Sequence, residues 1–230
     1  MFIPLSDTNP LRHLPFQYVT VGLIALNAAV YVLFLSDLVF PSMEATVYGF
    51  GMIPAVVNDY AELEPGAFAA PDLMTLVTYQ FLHGGWMHLI SNMLFLWVFG
   101  DNVEDALGHI RFLGFYLACG VIGGLAHLLA APDSQSPLIG ASGAVAGVIG
   151  AYLVLHPRVR VWVLLLGRLP LRIPALYALG GWIGMQFASI AFALDDQVAW
   201  WAHIGGAAAG AILVVLLRRP GVPLFDRGLG

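Results

Sequence analysis

A serine and a histidine stand out in this chain because both lie in apolar runs where polar side chains are costly. Ser142 lies in the Gly-Ala-Ser-Gly run 140–143, and His203 lies in a later apolar run. An ionisable group within a membrane-spanning helix generally marks a working site. A serine hydroxyl becomes nucleophilic when a neutral imidazole accepts its proton near pH 7. If the two side chains meet, they could hydrolyse a peptide bond inside a bilayer.

A second pair of polar residues could stabilise the charge that such an attack creates. His88 and Asn92 are four residues apart, so both project from one face of a helix. Together with the backbone N–H of Ser142, they could donate hydrogen bonds to a developing oxyanion. Each such donor is worth about 2.7–4 kcal/mol in a serine protease. The carboxylates closest to His203, Asp195 and Asp196, belong to a predicted loop, which favours a Ser–His dyad over a triad.

The composition excludes an ordinary soluble domain. Of 230 residues, 60% are hydrophobic and 10% are charged, whereas soluble domains average about 25% charged residues. The net charge of −5 argues against a nucleic-acid partner, and a single cysteine, Cys119, excludes an internal disulfide. No carboxylate or thiolate shares the depth of the histidines, so we expect no metal, and the chemistry requires no cofactor.

The apolar runs predict an all-α fold, a polytopic transmembrane helical bundle with six spans. A span needs about 20 apolar residues. The predicted membrane domain covers residues 16–217, between an N-terminal tail (1–15) and a C-terminal tail (218–230). The run 161–166 is too short to span and is interpreted as interfacial, and the long connection 41–85 is expected to be functional. The predicted spans are 16–39, 86–105, 111–131, 140–156, 174–194 and 198–217.

The arginines predict the orientation of this bundle. With six spans, every basic residue falls on one side, which the positive-inside rule identifies as cytoplasmic. Both termini are then cytoplasmic. No cleavable signal peptide is evident, and the absence of a transit-type N-terminus favours a bacterial plasma membrane. Ser142, His203, His88 and Asn92 all come to a similar depth below the outer surface. The basic residues are Arg12, Arg111, Arg158, Arg160, Arg168, Arg172, Arg218, Arg219 and Arg227; the opposite loops carry Glu44, Asp59, Glu62, Glu64, Asp72, Asp133, Asp195 and Asp196.

Small residues predict how the serine and histidine could be brought together. Gly206 and Gly210 follow Ala202 at helical spacing in the last span, a pattern that lets helix backbones touch. Contact with the Gly-rich fourth span, which includes Gly143, would bring His203 towards Ser142.

Other interpretations remain open for each feature alone. A Gly-Ala-Ser-Gly run commonly serves helix packing, and His83, His88 and Asn92 could cap a helix or, with His203, bind a metal. A transporter or channel would instead show broken helices in paired, repeated positions, which this chain lacks. A non-catalytic relative that binds membrane clients would be expected to lack the serine or the histidine, and this chain keeps both.

The motifs together resemble those of the rhomboid intramembrane serine proteases of the bacterial six-span type. They occur in the order of that family between residues 83 and 210. The matching pieces are His83-x4-His88-x3-Asn92, Gly100-x3-Glu104-x3-Gly108, Gly140-Ala141-Ser142-Gly143 and Ala202-His203-Ile204-Gly205-Gly206-x3-Gly210.

The resemblance implies a role for each matching residue. It implies that Ser142 is the nucleophile, that His203 is its base, and that His88 and Asn92 line the oxyanion hole. It further implies that Glu104 orders a neighbouring loop and that His83 supports one. The implied substrates are single-span or other membrane-anchored proteins, cleaved near the outer face at small residues beside helix-destabilising ones.

The sequence departs from the family pattern at two places. Many members carry a Trp-Arg pair in the first outer loop, where this chain has Met74 and Thr75. Some members place a tyrosine four residues after the nucleophile, stacked on the catalytic histidine, and here that residue is Ala146. His203 must therefore be oriented by another group.

Overall fold

The computed structural model describes residues 2–36, 42–63, 70–165, 167–192 and 198–226. Helices dominate this part of the chain, and a small sheet joins them. The helices are α1 (Tyr18–Leu35), α2 (Met43–Phe50), α3 (Pro54–Val57), α4 (Asp72–Thr78), α5 (Trp86–Leu107), α6 (His109–Ala130), α7 (Ser142–Leu155), α8 (Ala175–Ala191) and α9 (Trp200–Leu217), with a 3₁₀ turn at Tyr79–Phe81. The strands are β1 (Phe2–Asp7), β2 (Arg160–Leu165) and β3 (Leu169–Pro174).

Each of the six predicted spans overlaps one of the longer helices. Among the described residues, α1, α6 and α9 are long and apolar enough to cross a membrane, while α7 and α8 are shorter apolar helices. Helix α5 carries acidic residues near its C-terminal end. Parts of two predicted spans, residues 37–39 and 193–194, lie outside the described residues, as do Glu64, Asp195, Asp196 and Arg227. The count of six spans stays a prediction.

Helix α7 lies in the centre of the bundle. Nearly all of its residues are buried, and its glycines and alanines let neighbouring helices approach closely. A Cβ atom added at Gly147 would lie 2.5 Å from the Sγ of Cys119 on α6, and one at Gly150 would lie 2.1 Å from the carbonyl oxygen of Ala207 on α9. Larger side chains at these positions would push the neighbouring helices away.

A three-stranded antiparallel sheet corrects the all-α prediction. Strand β2 is central and pairs with β1 and β3, with Phe2 opposite Leu165 and Arg160 opposite Pro174. Val161 and Val163 alternate with outward-facing residues and are buried, as on a half-buried strand. The run 161–165 is therefore part of a strand, its interfacial location stays a prediction, and residue 166 lies outside the described residues.

Both predicted tails contact the bundle through hydrogen bonds. The carboxylate of Asp105, on α5, accepts hydrogen bonds from the backbone N–H groups of Arg12, His13 and Leu14 at 2.7–3.0 Å. Near the other end, the backbone N–H of Asp226 donates to the carbonyl oxygen of Leu155, at 2.9 Å. These contacts tie residues 12–14 to the C-terminal end of α5 and Asp226 to the last residue of α7.

The long connection between α1 and α5 packs on the loop that leads into α7. Met52 and Leu138 exchange a pair of backbone hydrogen bonds of 3.1 and 2.8 Å, and Met52 is fully buried. This pairing fixes the loop immediately before Ser142.

Candidate active site

Ser142 is the first residue of α7 and follows a glycine whose conformation few other residues adopt. Gly140 has φ +116° and donates its N–H to the carbonyl oxygen of Tyr79, at 2.9 Å. A Cβ atom at Gly140 would lie 2.6 Å from Nε2 of His88. The position therefore requires glycine both for its backbone angle and for the imidazole that lies against it.

The His88 imidazole presents a hydrogen-bond donor to this glycine. The backbone N–H of Gly84 donates to Nδ1 of His88, at 3.4 Å, so in the neutral ring the proton is on Nε2. Nε2 is the ring atom that lies against Gly140, two residues before Ser142. The Nε2–H group of His88 can therefore donate a hydrogen bond close to the start of α7.

Asn92 lies one turn further along the same face of α5. Its side chain is buried, and Nδ2 donates to the carbonyl oxygen of His88, at 3.0 Å. An amide nitrogen carries two hydrogens, so one remains for another acceptor. The structure thus brings His88 and Asn92 to one face of α5, with His88 next to the loop that precedes the serine.

Helices α7 and α9, which carry Ser142 and His203, are in close backbone contact. A Cβ atom at Gly206 would lie 2.0 Å from the carbonyl oxygen of Gly143, the residue after Ser142. One at Gly210 would lie 1.9 Å from the carbonyl oxygen of Gly147. His203 precedes Gly206 by one turn, so this contact sets how closely its ring can approach Ser142. Gly206 and Gly210 thus pack α9 against α7, as predicted.

Ser142 and His203, both among the described residues, are not hydrogen-bonded to each other. The His203 imidazole forms a hydrogen bond through Nδ1, which lies 2.9 Å from Oε1 of Gln186 on α8. In enzymes without substrate, catalytic hydrogen bonds are commonly long and tighten when substrate binds.

Two tryptophans pack around the His203 ring. The Trp182 ring lies 5.6 Å from the imidazole between centroids, at 33°, and the Trp200 ring lies 6.0 Å away, nearly perpendicular. Neither tryptophan nor Gln186 was identified from the sequence. A signal was available for Gln186, because an amide in the apolar run 174–194 is as unexpected as a histidine in one.

Tyr79 supports the serine loop and was also missed from the sequence. Its hydroxyl donates to the carbonyl oxygen of Gly120 on α6, at 2.7 Å, and its ring is buried. Its carbonyl oxygen accepts the N–H of Gly140, so one residue links α6 to the loop before Ser142.

His83 packs edge-on against His88. The two ring centroids are 5.1 Å apart at 68°, and His83 is buried. Burial, with a smaller effect from the neighbouring His88, lowers the pKa of His83 to about 4, so the ring is neutral near pH 7. Among the described residues, no group of three or more His, Cys, Asp or Glu side chains is placed to hold a metal ion.

Glu104 lies at the C-terminal end of α5 and is fully buried. Its carboxylate accepts the backbone N–H groups of Val19 and Thr20, at 3.0 and 2.8 Å, and the Thr20 hydroxyl, at 2.6 Å. His109 Nδ1 is 2.5 Å from the same carboxylate. Glu104 therefore caps the first turn of α1, where a negative charge is favoured, and ties α1 to α5 and α6.

Comparisons with known proteins match this arrangement to one family. Residues 70–220 match the sequence profile of the Rhomboid domain. The chain is 32% identical over 155 residues to the chloroplastic Rhomboid-like protein 11 of Arabidopsis thaliana, covering 65% of this chain and 54% of that protein. It is 31% identical over 149 residues to the mitochondrial Rhomboid protein 1 of Saccharomyces cerevisiae, covering 60% and 40%.

A bacterial relative shares a shorter stretch. The chain is 41% identical over 90 residues to Rhomboid protease GluP of Bacillus subtilis, covering 39% of this chain and 17% of that protein. The chain spans about half the length, or less, of the curated relatives that it matches. Because the profile matches more than half of the chain, including helices α4 to α9, the chain belongs to the rhomboid family of integral membrane proteins.

Proposed function

We propose that this protein is an intramembrane serine endopeptidase with a Ser142–His203 dyad. The observation that carries the proposal is the close contact of α7 and α9, where a Cβ atom added at Gly206 would lie 2.0 Å from the carbonyl oxygen of Gly143. It supports the proposal because Ser142 begins one of the two helices and His203 lies one turn before the contact on the other. Protease names among the relatives give independent support.

The proposed reaction begins when the Ser142 hydroxyl attacks the scissile carbonyl carbon. Nε2 of His203 takes the hydroxyl proton and later gives it to the leaving amine, while Ser142 keeps the acyl group. A water molecule, deprotonated by the same imidazole, then hydrolyses the acyl-enzyme. This sequence needs neither a metal nor a cofactor.

The negative oxygen of the tetrahedral intermediate would be held at the start of α7. The N–H of Ser142 belongs to the first turn, where helix N–H groups lack intrahelical partners. Nε2–H of His88 lies beside Gly140, and the second hydrogen of the Asn92 amide is the third donor. Such donors stabilise charge that develops only in the transition state.

The length of α7 supports a site below the outer membrane surface. Its 14 residues span roughly 21 Å, against about 30 Å for the hydrocarbon core. A helix that reaches the cytoplasmic side would therefore begin beneath the outer surface, shielded by surrounding protein. We propose six spans with both termini cytoplasmic, in a plasma membrane, as the arginine distribution predicts.

The proposed substrates are membrane-anchored proteins cut in or next to a transmembrane segment. A helical substrate must unwind locally before a carbonyl can reach Ser142, because helical hydrogen bonds and sterics shield the backbone. Glycine or other helix-destabilising residues lower that cost by up to about 1 kcal/mol each, and proline by about 3.

The test is cleavage of a single-span reporter protein by purified enzyme in liposomes. We expect Ser142→Ala and His203→Ala to abolish cleavage, and a fluorophosphonate probe to label the parent but not Ser142→Ala. Cleavage by both variants at the parental rate would refute the proposal. A parent that binds the reporter without cleaving it, and is not labelled, would indicate a non-catalytic client-binding protein.

A further inference from the structure

Gln186 is a buried amide in an otherwise apolar part of α8. Its side chain is 1% exposed, and α8 has no charged residue among Ala175–Ala191. Burial of an amide is costly unless its polar atoms are hydrogen-bonded. The two polar atoms of Gln186 both have partners, and one of them is His203.

The orientation of the Gln186 amide follows from its backbone partner. Nε2 donates to the carbonyl oxygen of Trp182, one turn earlier on α8, at 2.9 Å. A carbonyl can only accept a hydrogen bond, so the amide nitrogen must face it and the amide oxygen must face His203. Oε1 lies 2.9 Å from Nδ1 of the imidazole.

This orientation determines which nitrogen of His203 carries the proton. An amide oxygen accepts, so Nδ1 must be the donor, and in the neutral ring Nε2 is then the unprotonated nitrogen. An unprotonated Nε2 is what a general base for a serine hydroxyl requires. The opposite tautomer would place a lone pair against the amide oxygen and a hydrogen towards the serine.

The Trp182 side chain restrains the same ring. Its indole packs against the imidazole at 5.6 Å, tilted by 33°. Trp182 and Gln186 are four residues apart, so α8 presents both to His203 from one face. Ala146 on α7 has no aromatic ring that could stack on the imidazole, so that position cannot orient His203 in the way a tyrosine would.

We propose that Gln186 is a positioning residue that holds His203 in the tautomer that can accept the Ser142 proton. This inference rests on the proposed function of that pair. The amide differs from the carboxylate of a catalytic triad because it orients the ring without adding a charge next to the imidazolium. His88 and His127 are the titratable neighbours of His203 in the described part of the chain.

The first test compares Gln186→Met and Gln186→Glu in the reporter cleavage assay. Methionine fills a similar volume but cannot accept the hydrogen bond, so we expect kcat to fall roughly 5- to 10-fold, the equivalent of one hydrogen bond, with KM unchanged. Glutamate keeps an acceptor and adds a negative charge, which favours the imidazolium. We expect Gln186→Glu to retain more activity than Gln186→Met, with the acidic limb of its pH profile moved to higher pH.

Gln80 provides the matched control. It is fully buried, and its amide nitrogen donates to the carbonyl oxygen of Leu76, one turn earlier, at 3.0 Å. Its amide oxygen has no hydrogen-bond partner among the described residues, so Gln80→Met removes a buried amide without touching an imidazole. We expect parental kcat for Gln80→Met in the folded fraction. Parental kcat for Gln186→Met, or an unmoved acidic limb for Gln186→Glu, would overturn the proposal.

A second test does not depend on cleavage. In protein labelled with ¹⁵N-histidine in detergent, the His203 signals are identified by their loss in His203→Asn. We expect the Nδ1–H tautomer in the parent and a substantial Nε2–H population in Gln186→Met. An Nε2–H tautomer in the parent, or no change in the variant, would overturn the positioning role. Cleavage that survives Ser142→Ala would instead refute the proposed function.

Discussion

Gly206→Ala is the change that most directly tests the geometry of the proposed site. The added methyl would lie 2.0 Å from the carbonyl oxygen of Gly143, whereas ordinary van der Waals contact begins near 3.4 Å. Because both partners are backbone, one helix must move away by about 1.4 Å, the difference between these distances. That movement separates Ser142 from His203.

The expected losses of cleavage rate and of stability are large for the addition of a single methyl group. A misplacement of about 1 Å between reacting groups can lower the rate about 100-fold, and overpacking a tight interior costs about 1–3 kcal/mol of stability. We therefore expect reporter cleavage to fall at least 100-fold, with a lower melting temperature in detergent. Fluorophosphonate labelling of Ser142 should slow in parallel.

The control is Gly114→Ala on α6, where the added methyl meets nothing within 4 Å. In that open position alanine favours the helix by up to about 1 kcal/mol, so activity and melting temperature should not fall. Parental cleavage and stability in Gly206→Ala would refute the close contact of α7 and α9 and with it the geometric basis of the dyad.

Three further predictions concern the supports of the site. Gly140→Ala combines a strained φ of +116° with a methyl 2.6 Å from Nε2 of His88, so we expect labelling of Ser142 to slow more than 10-fold, and an unchanged rate would contradict the placement of His88. Glu104→Gln keeps an acceptor but loses the charge that caps α1, so we expect about 1–3 kcal/mol lower stability in denaturant titrations, with activity retained in the folded fraction. For His83, the folded pKa of about 4 lies below its ordinary 6.5, so the unfolded chain binds more protons between these values. The contribution of neutral His83 to the free energy of unfolding is complete above pH 6.5 and is lost as pH falls towards 4. We expect His83→Phe to weaken this loss of stability, and an identical pH dependence of stability in the variant and the parent would contradict the prediction.

The six longer helices were predictable because each is encoded within its own stretch of sequence, whereas the short helices α2, α3 and α4 of the long connection were not predicted. The predicted span 140–156 coincides with α7 to within two residues at each end. The sheet was not predictable by the same reasoning. The run 161–166 is short and apolar between arginines, and one of its partners, β1, lies at the other end of the chain. Because Trp162 and Leu164 are apolar like Val161 and Val163, the run has no alternation of polar and apolar residues that would indicate a half-buried strand.

For the residues that support the site, the sequence also predicted some features and not others. The resemblance implied that Glu104 orders a neighbouring loop, but not that its carboxylate accepts hydrogen bonds from the first turn of α1, some 85 residues away in the chain. The need for a group to orient His203 followed from Ala146. Its identity did not, because the direction in which α8 presents Gln186 depends on how that helix is rotated against α9.

The amino-acid sequence by itself determined which residues could do chemistry and which helices carry them. Polar groups are rare in apolar runs, and the small residues that permit helix contact recur at a helical period. Only the tertiary structure decided which atoms meet: His88 Nε2 against Gly140, Gly206 against Gly143, and Gln186 on Nδ1 of His203. The physical reason is that a hydrogen bond is sensitive to differences of tenths of an ångström in the distance between donor and acceptor. When these groups are far apart in the chain, that distance is set only when the helices pack.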